Sequence, residues 1–233
     1  MKLLALETTA KAASCAVLAD GVPLATAWQC TGLTHSRTLL PMVEDMLKNS
    51  ELQLKDLDAI AVAAGPGSFT GLRIGISAVK GLAWAADKPC IGVSTLEAMA
   101  WPLSHLTGII VCAMDARRQQ IYNALFEAKN GHLTRLTEDR AIALADLAEE
   151  LRGDPRPITV VGDGARLTFD YLTRAEIPCR LAPPHLVMQN AMSVALEAEA
   201  LAAEGGLVSA QTLEPVYLRP AQAERLRMKQ KEA

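Results

Sequence analysis

The chain has 233 residues, of which 50% are hydrophobic, and this is enough apolar material to bury one large core or two modest ones. Its net charge of −3 excludes a protein whose whole surface is basic enough to wrap a nucleic-acid backbone. The opening residues place Glu7, Thr8 and Thr9 where a secretory segment needs an apolar run, and no later stretch stays apolar for the length of a membrane span. We therefore expect a cytoplasmic protein.

The first half of the chain predicts three strands, a helix, a buried strand, a long helix and a short strand. The predicted strands cover residues 3–8, 14–18, 23–29, 59–64 and 90–93. Asp20 and Gly21 form a hairpin signal, and Thr34 is a suitable N-cap for the first helix. A glycine-rich turn at residues 65–68 leads into the second helix, which is predicted to end near Ala86.

The second half of the chain repeats this order of elements. The predicted strands are 109–115, 121–127, 138–142 and 158–161, and the predicted helices are 144–151, 166–172 and 190–204. Two facing βββαβα units are typical of the α/β fold shared by actin, Hsp70 and sugar kinases, the ASKHA fold. We therefore predict one subdomain at residues 1–105, a second at 106–220, and a flexible basic tail at 221–233.

The hairpin turns of this fold point at nucleotide phosphates, and they require an acid, a glycine and a hydroxyl residue. Here the first turn, residues 7–10, and the second, residues 115–118, keep acids and part of the hydroxyls but contain no glycine. The start of the second long helix offers another way to hold an anion or nucleotide, because its free backbone N–H groups attract negative charge. The candidate residues for such a site are Thr8, Thr9, Gly65, Gly67 and Ser68. The alternative interpretation is a tight strand-to-helix turn that only glycine tolerates.

The helix predicted at residues 70–86 has two apolar stripes. A helix that is apolar on two faces must bury both, so its second face packs under another helix or meets a second protein. The helix that follows Thr34 is the natural neighbour. One stripe is formed by Leu72, Ile76, Val79 and Ala83, and the other by Ile74, Ala78, Leu82 and Ala85.

The sequence predicts neither a metal centre nor a catalytic nucleophile. Its histidines are far apart, with no pair at i and i+4, and no G-x-S-x-G motif is present. A small-molecule kinase remains an alternative, with Glu7 or Asp115 as its acid. A peptidase that needs zinc or iron is a second alternative. The histidines are His35, His105, His132 and His185.

Four segments of the chain resemble the TsaB family, also called YeaZ, and the resemblance covers essentially the whole sequence. They are residues 3–9 (LLALETT), 34–43 (THSRTLLPMV), 61–100 and 214–220 (EPVYLRP). The resemblance implies a non-catalytic scaffold and activator of the paralogue TsaD. TsaD transfers a threonylcarbamoyl group from threonylcarbamoyl-adenylate to the adenosine beside the anticodon of tRNA. Where TsaD carries its two metal-binding histidines, this chain has Thr95 and Met99, which form a poor metal site.

The resemblance also implies partners. Two helices of this chain are expected to form a bundle with the equivalent pair of TsaD, or with a second copy of this chain. The ATPase TsaE is the third expected partner. The resemblance implies no intrinsic cofactor, with ATP or ADP at the partner interface left open, and it implies contact with tRNA only through the partners and none with a membrane. The interface residues we predict are Leu39, Leu40, Val43, Leu72, Ile76 and Val79.

Overall fold

The computed structural model describes residues 1–219, which form two lobes, each built on one mixed β-sheet. The tail predicted at residues 221–233 lies outside the described residues. Within residues 1–219, no helix is both long enough and apolar enough to cross a membrane.

In the sheet of the first lobe, three strands form an antiparallel meander and two further strands pair in parallel beside it. Its strands are β1 (Lys2–Glu7), β2 (Ala13–Ala19), β3 (Val22–Gln29), β4 (Ala59–Gly65) and β5 (Cys90–Ser94), in the order β3-β2-β1-β4-β5. β1 and β4 pair in parallel and are buried on both faces, which explains their unbroken apolar sequences. Helices α1 (His35–Asn49) and α2 (Phe69–Ala86) pack on one face of this sheet, and the short helix α3 (Thr95–Ala100) leads to the second lobe.

The second lobe repeats the topology of the first. Its strands are β6 (Gly108–Asp115), β7 (Gln120–Lys129), β8 (His132–Arg135), β9 (Arg140–Ala143), β10 (Ile158–Val161) and β11 (Arg180–Leu181). The order β8-β7-β6-β10-β11 matches that of the first sheet strand for strand, with β9 as an addition that pairs with β7. Helices α4 (Leu144–Leu151) and α5 (Ala165–Arg174) follow the positions of α1 and α2 in the chain. The predicted duplication and the ASKHA fold class are therefore confirmed.

The last helix corrects the predicted boundary of the second subdomain. Helix α6 (Ala191–Ala203) follows the second sheet in sequence but packs on the free face of the first sheet. The segment after α6 also returns to the first lobe, where Leu213 is buried between the strands and α2. Small side chains on both surfaces explain this placement, because they let the helix lie close to the strands. These side chains are Ala5, Ala16, Ala59, Ala61 and Ala63 on the sheet, and Ala191, Ala195 and Ala198 on α6.

Candidate functional site

The two lobes enclose a cleft of about 400 Å³ at the ends of β1 and β6. Three segments supply its walls: the turn after β1 with the start of α2, the turn after β6, and the segment before residue 220. This is the position at which a duplicated α/β fold of this class presents its hairpin turns to a ligand. The lining residues are Thr9, Ala10, Lys11, Gly67, Ser68, Phe69, Met114, Asp115, Ala116, Arg117, Tyr122, Asp163, Val216, Tyr217, Leu218 and Arg219.

Several hydrogen-bond donors of the turn after β1 and of the start of α2 are bonded within the protein. The carboxylate of Glu7 accepts the backbone N–H of Thr9 at 2.5 Å and the Thr9 hydroxyl at 2.6 Å. The backbone N–H of Ser68, at the start of α2, donates to the Thr9 carbonyl at 2.7 Å. The Thr8 hydroxyl donates to the Gly71 carbonyl at 2.8 Å. These four donors are therefore committed to protein acceptors and are not free to bind a phosphate.

The glycines before α2 allow backbone segments to approach one another. A Cβ atom on Gly67 would lie 2.6 Å from the Cβ of Thr9, which is closer than real Cβ contacts. Gly65 has a φ of +135°, and the Val216 carbonyl lies where its Cβ would be. Both glycines are thus required by packing, and the site predicted at Thr8, Thr9, Gly65, Gly67 and Ser68 has the geometry of a tight turn.

Asp115 and Asp163 line the cleft, Glu7 lies behind it, and each of the three carboxyl groups accepts a hydrogen bond from the protein. Glu7 is buried, and burial raises the pKa of its carboxyl to about 7, although the hydrogen bonds from Thr9 oppose that rise. Burial also raises the pKa of Asp163, which accepts a hydrogen bond from Gln189 Nε2 at 3.2 Å. Asp115 accepts the backbone N–H of Arg117 at 2.8 Å.

The turn after β6 has an uncommon backbone. Arg117, Arg118 and Gln119 have φ values of 68°, 56° and 56°, so three successive residues other than glycine are left-handed. All three are exposed, and Arg117 reaches the cleft.

The helices α1 and α2 correct most of the predicted interface. Leu39, Val43, Leu72, Ile76 and Val79 are buried in the core of the first lobe, where they face the sheet. They face inward because each helix turns its most apolar stripe toward its own strands. Of the predicted set only Leu40 is open to solvent, with 49% of its surface exposed. The second stripe of α2 is half-buried at Ile74, Ala78 and Leu82, and Trp84 beyond it is 79% exposed.

Comparison with known proteins connects this architecture to tRNA modification. The family model described as TsaD, tRNA N6-adenosine threonylcarbamoyltransferase, matches residues 29–212. The tRNA threonylcarbamoyladenosine biosynthesis protein TsaB of Escherichia coli is 34% identical over 94% of this chain and 95% of its own length. The chain belongs to the TsaB family.

Solved structures support this family assignment and the fold. YeaZ from Pseudomonas aeruginosa superposes with a TM-score of 0.79 at 29% identity, covering 93% of this chain and 99% of that one. Component A of (R)-2-hydroxyglutaryl-CoA dehydratase from Acidaminococcus fermentans reaches a TM-score of 0.50 at 14% identity, over 87% of this chain and 99% of its own, which is a likeness of fold alone.

In this member of the TsaB family the two residues compared with the TsaD histidines are part of the core. Thr95 and Met99 both lie on α3 and are buried. The methyl carbon of Met99 lies 3.1 Å from where a Cβ of Gly162 would be, so the thioether fills space between α3 and the second sheet. Among residues 1–219 no group of three or more His, Cys, Asp or Glu side chains is placed to hold a metal ion.

One wall of the cleft was not predicted from the sequence. Residues 214–219 were noted only as part of the family resemblance, yet Val216, Tyr217 and Arg219 line the cleft. Nothing in the local pattern of these residues signals that position. Their position arises because α6 brings the chain back to the first lobe, and that packing between distant segments is not encoded in a local pattern.

Proposed function

We propose that this chain is the non-catalytic partner of TsaD in the synthesis of threonylcarbamoyladenosine in tRNA. In this proposal TsaD transfers the threonylcarbamoyl group from threonylcarbamoyl-adenylate to the adenosine next to the anticodon, and this chain holds TsaD in a competent conformation. The observation that carries the proposal is the similarity to a TsaB protein over 95% of that protein's length. The proposal places the chain in the cytoplasm, where tRNA is modified.

The hydrogen bonding around the cleft favours a non-catalytic role over a kinase activity. Glu7 and Asp115, the acids that a small-molecule kinase would need, accept hydrogen bonds from their own turns. The N–H groups of Thr9 and Ser68 are bonded to protein oxygens. A kinase must hold phosphates and activate a hydroxyl in this cleft, and these groups are already engaged. The kinase alternative is therefore the weaker hypothesis.

The outward surface of α1 and α2 is the contact we assign to TsaD. The two helices pack side by side on one face of the first sheet, so their outer sides form one continuous surface. Apolar area remains exposed on that surface at Leu40 of α1 and at Ile74, Ala78 and Trp84 of α2. Burying such side chains against the equivalent helices of a partner would supply the association energy.

Substitution of Leu40 tests this contact. Leu40→Arg should weaken binding to TsaD about tenfold or more, the size expected for a central interface residue, without unfolding the chain because Leu40 is exposed. Leu167→Arg is the matched control, since Leu167 is an exposed leucine on α5 of the other lobe. Binding is measured by calorimetry with purified TsaD. Equal affinities for the parent and Leu40→Arg would refute the contact. Leu39 and Ile76 are unsuitable for this test, because charged substitutions there would disrupt the core.

The resemblance extends the proposal to further partners. TsaE would join the pair as an ATPase, ATP or ADP would lie at the partner interface, and tRNA would be contacted only through the other subunits. Without TsaD, the same surface of α1 and α2 would pair two copies of this chain. Sedimentation of the chain alone and with TsaD, TsaE and ADP measures each association. A homodimer that persists in Leu40→Arg would contradict the shared surface.

A further inference from the structure

The segment Glu214–Arg219, which we call the strap, runs from the first lobe to the second across the cleft. It starts where Leu213 is buried in the core of the first lobe. Just before it, Val208 exchanges hydrogen bonds of 2.8 and 2.9 Å with Cys90 at the edge of β5. Within the strap, the Val216 N–H donates to the Ala64 carbonyl at 2.7 Å. The beginning of the strap is thus fixed to the first sheet.

The middle of the strap is anchored on the first turns of α2. The ring of Tyr217 lies 5.2 Å from the ring of Phe69, centroid to centroid. The guanidinium of Arg73 lies 3.9 Å above the Phe69 ring, and its Nε donates to the Tyr217 hydroxyl at 3.1 Å. Stacking and cation–π contacts of this kind stabilise a defined position of the chain.

The end of the strap reaches the second lobe through one side chain. Arg219 Nη1 donates to the carbonyl of Ala116 at 2.9 Å. Ala116 belongs to the turn after β6, immediately before the three left-handed residues Arg117–Gln119. A backbone conformation that is unfavourable for these residues persists only where surrounding contacts hold it. The guanidinium of Arg219 is such a contact.

We propose that the strap is an interlobe tie, which holds the two lobes at a fixed separation and keeps the turn after β6 in its left-handed form. Its anchors on β4 and α2 belong to the first lobe, and its bond to Ala116 belongs to the second. The strap also covers part of the cleft, since Val216, Tyr217, Leu218 and Arg219 form one of its walls. Release of Arg219 would therefore widen the cleft and loosen the turn together. This inference does not depend on the role of the chain with TsaD.

A separate connection keeps the lobes together when the tie is broken. Arg135 on β8 pairs with Glu97 of α3 at 2.6 Å and with Asp139 at 2.7 Å. The Ser94 hydroxyl, at the end of β5, donates to Asp139 at 2.6 Å. Because these contacts do not involve the strap, a variant of Arg219 should change the separation of the lobes without unfolding either one.

Hydrogen–deuterium exchange of the full chain with Arg219→Ala tests the tie. The amides of Ala116 and Gln120 are both hydrogen-bonded within the turn, so their exchange reports its opening. Loss of the Arg219 bond should accelerate that exchange about three- to tenfold, the factor that corresponds to one hydrogen bond. Arg166→Ala is the control, because Arg166 forms an exposed ion pair with Asp170 on α5 of the second lobe. If the amides of Ala116 and Gln120 exchanged at the same rate in Arg219→Ala as in the parent, the proposal would be overturned.

The separation of the lobes is measured by spin labels on Ser36→Cys in α1 and Arg174→Cys in α5, both exposed positions. The accessible thiols Cys30 and Cys179 are first replaced by serine, and the other cysteines are buried. Arg219→Ala should lengthen and broaden the distance distribution. Tyr217→Ala, which removes the anchor on α2 and leaves Arg219, should do the same. A distribution identical to that of the parent in both variants would contradict an interlobe tie.

Discussion

The turn between β1 and β2 and the turn between β6 and β7 hold equivalent positions in the two sheets, and both lie against a glycine that precedes a helix. Gly67 approaches Thr9 in the first lobe, and a Cβ on Gly164 would lie 2.8 Å from the Asp115 nitrogen in the second. The first turn is closed by its own buried acid, Glu7. The second is exposed, left-handed and bonded to the strap. A duplicated backbone has therefore kept its packing while its two turns have acquired different chemistry.

The largest effect should come from the buried acid of the first turn. The raised pKa of Glu7, about 7, means that the folded chain binds a proton that the unfolded chain releases near its ordinary pKa. Stability should therefore fall as pH rises from about 4.5 to 7, by about 3 kcal/mol in total, and should then level off. Glu7→Gln should remove this part of the slope. Urea unfolding of the parent and of Glu7→Gln across this pH range measures the difference. The same dependence of stability on pH in both proteins would refute the role of Glu7.

The next effect tests the close packing of the first turn on α2. A Cβ on Gly71 would meet the carbonyl oxygen of Thr8, so Gly71→Ala should destabilise the protein by about 1–3 kcal/mol. Gly81 lies on the same helix with nothing within 4 Å of its Cβ position. Gly81→Ala should therefore stabilise the protein by roughly 0.5–1 kcal/mol, since alanine favours a helix over glycine. Free energies of unfolding from chemical denaturation measure both variants. If Gly71→Ala and Gly81→Ala changed this free energy in the same direction, the close packing at Gly71 would be contradicted.

The smallest effect tests the strained second turn. Arg118 has a φ of 56°, which glycine adopts at no steric cost. Arg118→Gly should stabilise the protein by roughly 0.5 kcal/mol, because the relief of steric strain is partly offset by the backbone entropy that glycine loses on folding. Arg118→Ala removes the same charge but keeps the steric conflict, so it should give no such gain. Equal stabilities of the two variants would show that the left-handed conformation is not a source of strain.

Local patterns were sufficient to predict most of the fold. Alternation, apolar runs and turn signals predicted the main strands, and helix 144–151 was predicted with its observed bounds. The hairpin signal at Asp20-Gly21 lies in a turn where both residues have positive φ. Strand β8, with four residues, and β11, with two, were missed, because such short strands carry too little periodicity.

The candidate site could be predicted only in part. The position of the cleft followed from the duplication, and Thr9, Gly67 and Ser68 do line it. Five of the six predicted interface residues are buried inside the first lobe. The prediction misplaced them because a stripe of leucine, isoleucine and valine on a helix marks its inward side as readily as a partner surface. The placement of α6 depends on pairing small side chains that are far apart in sequence, as Ala5 and Ala195 are, and the position of the strap follows from that placement.

The proposed function requires this chain to act through TsaD. Its most direct test is tRNA threonylcarbamoyl transfer from preformed threonylcarbamoyl-adenylate, measured with TsaD alone, with this chain alone, with both, and with TsaD and Leu40→Arg. We expect transfer when TsaD and the parent chain are both present, and much less transfer with Leu40→Arg at concentrations near the dissociation constant of the parent complex. Transfer by this chain alone, or equal transfer by TsaD with and without it, would contradict a non-catalytic accessory role.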